Sequence, residues 1–207
     1  RSDRSTYKLL GGSIGFYGST LNTRQYATKG YLEKLIAQVF TGRERFEPGN
    51  PQEGYSPSPQ ERQSWLQISY MKEAYHTMGP KFTLGWMAEA LYSSKNFSEN
   101  YTATMMQAGE FAPTPHSKLM YNEAFRANQY VAAGIKPIYV LNDMFQFRTE
   151  FYGFTPIFPI KKNALNKAYY GKAFSRFEYM GEVSVICHLP FGAISAYVNH
   201  YSSPRRE

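Results

Sequence analysis

The sequence predicts an all-β protein, an antiparallel transmembrane β-barrel, and three observations carry that expectation. From Phe82 to Tyr92 large apolar side chains recur on alternate residues (Phe82, Leu84, Trp86), and similar stretches return along the chain. The 207 residues include 18 Tyr and 15 Phe, yet mean hydropathy is only -0.50. That mixture suits strands with one face in lipid and the other in a polar interior. No run of roughly 18 or more apolar residues occurs, which excludes a helical span.

The length allows one sizeable domain, taken as residues 1–207. The net charge of +7 comes from short groups such as Arg43 and Arg45, Lys161 and Lys162, and Arg205 and Arg206. Placed between strands, they suit acidic lipid headgroups or lipopolysaccharide phosphates, so the expected partner is membrane lipid and not nucleic acid. A single Cys187 excludes an internal disulfide and reads as a small apolar filler. The chain opens on Arg1, Ser2 and Asp3 and closes on Pro204, Arg205, Arg206 and Glu207. Because a barrel tolerates no unpaired edge in hydrocarbon, further strands are expected on both sides.

Element by element, the first strand spans about Tyr7 to Tyr17, diluted by Gly11, Gly12 and Gly15. The segment from about Tyr26 to Thr41 fits a strand, although Leu32, Leu35, Ile36, Val39 and Phe40 also fit a helix face. Pro48, Pro51, Pro57 and Pro59 make residues 42–61 a long loop. Arg62 to Thr77 and Lys81 to Tyr92 read as a hairpin around Met78, Gly79 and Pro80. Residues 93–123 read as a long excursion, with Tyr101, Ala103 and Met105 as a candidate short strand. Phe125 to Tyr139 and Phe145 to Tyr152 form the clearest hairpin, turning at Leu141, Asn142 and Asp143. A loop at 158–172 precedes a last hairpin, Arg176 to Leu189 and Ala193 to Tyr201.

These eight segments put the short connections on one side and the long ones on the other, as periplasmic turns and extracellular loops are arranged in an outer-membrane barrel. The alternation sorts residues by face. Arg126, Lys136, Arg148, Glu150 and Glu182 are expected to point into the lumen. Phe82, Leu84, Trp86, Val131, Ala133, Ile135, Phe145, Phe147, Val183 and Val185 are expected to meet lipid. On that assignment an Arg at 131 or 133 damages assembly, whereas Arg148→Gln is mild. A soluble two-layer sheet that binds glycans or protein would alternate in the same way and stays open.

Tyr130 to Tyr139 and the closing Gly181 to Leu189, Pro190, Phe191, Gly192, Ala193, Ile194 and Ser195 resemble the C-terminal barrel of Omp85-like surface-antigen proteins. More narrowly, they resemble the barrel attached to patatin-like phospholipases of Bacteroidetes. The resemblance covers most of Ala124 to Tyr201. It implies the C-terminal half of a sixteen-stranded barrel lacking its last strand, in the bacterial outer membrane, partnered by the rest of the barrel and an upstream periplasmic or hydrolase domain. Its implied role is to anchor or position a lipid acyl hydrolase; an Omp85-type assembly or secretion barrel is the alternative. Gly11, Gly12, Ser13, Ile14 and Gly15 carry the spacing of the family's Gly-x-Ser-x-Gly elbow, but they lie inside the first strand candidate and not at a strand-to-helix turn, so they are not read as that elbow. No catalytic residue, cofactor site or metal set is therefore assigned, and His76, His116, His188 and His200 are scattered.

Overall fold

The computed structural model describes residues 4–49 and 62–203. Eight long strands form one antiparallel sheet: β1 (Arg4–Ser19), β2 (Gly30–Glu47), β3 (Arg62–Thr77), β4 (Phe82–Ser93), β7 (Gln129–Val140), β8 (Phe145–Pro156), β11 (Glu178–Leu189) and β12 (Gly192–Tyr201). Their order in the sheet is their order in the chain, and β1 and β12 form its two edges. The β4–β7 connection carries a helix, α1 (Tyr101–Gln107), and a two-strand bridge of β5 (Gly109–Glu110) with β6 (Arg126–Ala127). The β8–β11 connection carries a small hairpin of β9 (Ile160–Lys162) and β10 (Ala168–Tyr170).

Several expected boundaries move. The second strand is not helical; it starts at Gly30 and runs to Glu47, so residues 42–47 are strand and not loop, while 50–61 lie outside the described residues. Tyr26 belongs to the β1–β2 connection. Gly30 closes that connection at φ 91, where a Cβ would stand 2.2 Å from the Thr20 carbonyl oxygen. Tyr101, Ala103 and Met105 sit on a helix, not a strand: Asn100 caps it, its side-chain oxygen accepting from the Ala103 N–H at 2.7 Å. Over a run this short, periodicity cannot separate the two states. Phe125 and Arg126 precede the strand that was expected to include them, which begins at Gln129.

Local chemistry explains the turns and one gap. Asn142 accepts from the backbone N–H groups of Met144 and Phe145, an Asx-type turn that reverses β7 into β8. Pro137 has no N–H to give, and the β7–β8 register passes from Ile135↔Phe151 to Ile138↔Arg148 across it. On the inner face Tyr75 lies over Gly85 and Tyr152 over Gly134, with ring atoms where a Cβ would stand.

The strands are staggered in one direction throughout. A row of paired residues runs Gly18, Glu33, Lys72, Ala88, Ala133, Gly153, Tyr179 from β1 to β11. Gly18 lies one residue before the end of β1 at Ser19, and Tyr179 lies ten before the end of β11 at Leu189. Both ends face the short connections, so the row climbs nine residues over six strand steps. At ~3.3 Å per residue and ~4.8 Å per strand, this corresponds to strands inclined at about 45°.

Candidate functional site: the polar concave face

Neighbouring residues show how the sheet divides. Ile135 is 51% exposed and Lys136 3%; Phe147 is 46% exposed and Arg148 3%. At these positions the charges are buried and the aliphatic and aromatic side chains bared, the reverse of the usual partition in water, while Tyr130, Ile138, Phe154 and Ile186 are buried beside the charges on the inner face. On the inner side Lys136 Nζ lies 3.0 Å from Glu73 on β3, and Arg148 Nε lies 2.9 Å from Glu150. Tyr75 donates its hydroxyl hydrogen to Glu73 and accepts from Arg148 at 3.4 Å, while Tyr152 donates to Glu150. β3 and β8 are separated by β4 and β7, so these contacts show that the sheet curls around this face. A buried charge is tolerated only when paired and hydrogen-bonded, and this network supplies both.

Two chain segments fill the concavity from opposite ends. From the short-connection end, the β1–β2 loop places Ala27 so that its carbonyl accepts from Arg148 at 2.9 Å, and the Tyr26 carbonyl accepts from Gln146 at 3.2 Å. Tyr26 takes a left-handed backbone, φ 56, to do so. From the long-connection end, the stretch after β5 lowers Phe111 among Tyr130, Tyr152 and Phe154, and buries Thr114 and His116. Glu150 and Glu182 face each other across β8 and β11. Each has its own cationic or imidazole neighbour, Arg148 for the first and His116, 3.1 Å away, for the second.

His116 is where the two fillers meet. Its Nε2 lies 3.2 Å from Ser195 Oγ and 3.4 Å from the Tyr26 hydroxyl, and its ring stacks on Tyr197. Carboxylate, imidazole and hydroxyl in this order have the form of a hydrolytic triad. The surroundings are those of a latch. The Tyr26 hydroxyl donates to Ser195 Oγ at 3.0 Å, and Ser195 stands in regular strand opposite Ile186 rather than on a sharp exposed turn. The adjoining cavity is lined by neither His116 nor Ser195.

That cavity, of about 1170 Å³, lies beside the network. Its walls carry Glu73, Glu89, Glu110 and Glu150 together with Arg24, Lys34, Lys118, Lys136 and Arg148. Opposite charges interleave, so no single-sign ring is present to select ions. Outside the sheet, burial and then the Glu123 carboxylate push the Tyr101 hydroxyl well above the usual phenol range.

Of the expected lumen residues, Lys136, Arg148, Glu150 and Glu182 come together on the concave face. Arg126 does not: it stands on β6, paired with Glu110 at 2.7 Å and donating to the Met106 and Ala108 carbonyls near the end of α1. Phe82, Val131, Ala133, Ile135, Phe145, Phe147, Val183 and Val185 lie exposed on the outer face, with Leu84 and Trp86 half-buried there. Sequence reasoning missed Glu73, Tyr75, Tyr26 and His116. The first two share the inner parity of β3, a signal that was available; the other two arrive through loops. The expected mildness of Arg148→Gln is revised, because that side chain is a buried ion-pair partner. Among the described residues no group of His, Cys, Asp or Glu is placed to hold a metal ion. Comparison with models of protein families, with curated proteins and with solved structures returned no match.

Proposed function

We propose that this chain is a segment of an outer-membrane β-barrel whose interior is occupied by its own loops, and that it anchors or positions a separate domain. The observation that carries the reading is the inverted burial of the sheet. Exposed Val183, Ile194 and Val198 stand with Ile135 and Phe147 on a surface that water would penalise and hydrocarbon would not. A tilt of about 45° agrees with that of membrane-crossing strands, and twelve-residue strands such as β7 and β8 exceed the roughly 9 to 11 residues needed to cross. The two sheet edges then require further strands, because unpaired backbone is not stable in lipid.

A loop-filled interior of mixed charge suits an anchor better than a solute pore. The resemblance of the closing hairpins to patatin-associated barrels makes a lipid acyl hydrolase the domain to be positioned. The test uses spin labels at Phe147 and Gln146 in vesicles containing the natural full-length protein. Label 147 is expected to be accessible to oxygen dissolved in the bilayer, and label 146 is not. Equal aqueous accessibility at both sites overturns the proposal. A nucleophile elbow encoded upstream supports the hydrolase partner; tandem periplasmic repeats there would favour an assembly barrel instead.

A further inference from the structure

A second cavity, of about 760 Å³, lies at the long-connection end and shares no lining residue with the larger one. Its wall is aromatic: Tyr7 on β1, Phe40 on β2 and Trp65 on β3, the last two stacked with centroids 5.1 Å apart. Helix α1 forms the opposite side through Ala103 and Gln107. Lys95 holds its ammonium 4.8 Å from the centre of the Trp65 ring and 5.8 Å from that of Tyr7. Among the described residues no carboxylate lies within ion-pairing distance of it. The nearby Glu44 instead accepts from the Tyr7 hydroxyl at 2.8 Å.

Ser5 and Gln107 also border the cavity. The Ser5 hydroxyl pairs with the Tyr7 hydroxyl, and Gln107 Oε1 is buried without a hydrogen-bond partner, an uncommon state in folded chains. A cation, a hydroxyl and an amide thus border a pocket whose remaining wall is apolar, the composition of a small-ligand site.

We propose that this cavity binds a single-chain anionic amphiphile, a long-chain fatty-acid carboxylate, with its head on Lys95 and its chain along Phe40 and Trp65. The charge and the apolar wall are both needed, so neither a neutral lipid nor a free small anion satisfies the site. Burial pushes the free Lys95 ammonium down to about 8, with Glu44 opposing, which keeps it cationic at neutral pH.

The chain has two Trp, so Trp86→Phe leaves Trp65 as the sole tryptophan, whose emission is excited selectively over that of the tyrosines. The full chain in non-ionic detergent is titrated with a fatty acid brominated at its terminal carbon. Saturable quenching of Trp65 is expected, and the corresponding brominated alcohol and Lys95→Met should each bind at least about tenfold more weakly. Ala103→Phe, which narrows the cavity and leaves the head group's partner intact, should abolish saturation. Heat-modifiable migration confirms that each variant is folded. Quenching that rises linearly without saturation, or acid and alcohol binding equally, overturns the proposal. The measurement needs a folded chain and not a bilayer, so its failure leaves the membrane proposal standing, and the reverse also holds.

Discussion

The β7–β8–β11 region and the β1–β2 region obey the same alternation but differ in what covers their inner faces. Over β7, β8 and β11, Phe111, His116 and the Tyr26–Ala27 tip lie against the strands, and the charged residues there are buried. On β1 the inner positions include Ser13 and Gly15, and Tyr17, on the same face, remains 65% exposed. The strands are also longer, 16 and 18 residues against 12. The sheet by itself therefore does not make a dry interior; the loops lowered into it do. Where they reach, the buried charges are paired, although Gln146 Oε1, Glu182 Oε2 and Ser184 Oγ have no hydrogen-bond partner.

The largest test of that contrast is Arg148→Ala, which strands Glu150 without its closest cation and should cost about 3–5 kcal/mol of stability. Lys34→Ala, on the inner face of β2, should stay within about 0.5 kcal/mol. Denaturant midpoints measured in lipid decide it, and equal shifts would dissolve the contrast. Next comes the outer face of the filled half: Ala133→Arg should cost about 2–4 kcal/mol at mid-bilayer and reduce the heat-modifiable fraction.

A smaller effect sharpens the description of the β1–β2 half, where the Lys95 ammonium lies over the Tyr7 ring. Fatty-acid binding requires the ammonium, so the affinity should fall as pH rises above about 8, by up to about tenfold per unit, until the bound state also releases its proton. A pH-independent affinity between 7 and 10, read by Trp65 quenching, would remove Lys95 from the site. The smallest expected effect concerns the latch. Ser195→Ala should cost about 1 kcal/mol, and a fluorophosphonate should leave Ser195 of the parent protein unlabelled. Mass-spectrometric detection of a labelled Ser195 would turn the latch into a nucleophile.

The alternation made β7, β8 and β11 legible, because in each of them the charged residues share one parity and the exposed apolar residues the other: Lys136 beside Ile135, Arg148 beside Phe147, Glu182 beside Val183, although Ile138, Phe154 and Ile186 are buried on the charged side. Legibility fell where a second constraint acted. In β2, apolar residues occupy both parities, Leu32 and Ile36 against Leu35 and Val39, so strand and helix patterns overlap. Asn100 fixed α1 through a cap that alternation does not register. The inner network joins residues far apart in the chain, such as Tyr75 to Arg148 and His116 to Glu182. Pairings of that kind depend on curl and stagger, which no local window contains.

The meeting of Tyr26 and His116 gives the molecule a strut from rim to rim. One segment descends from the side of the long connections and the other rises from the side of the tight turns, and they touch in the middle at 3.4 Å. A tug on either segment is therefore delivered to the opposite end of the strands, and whatever is fastened to one set of connections shares a mechanical fate with the other.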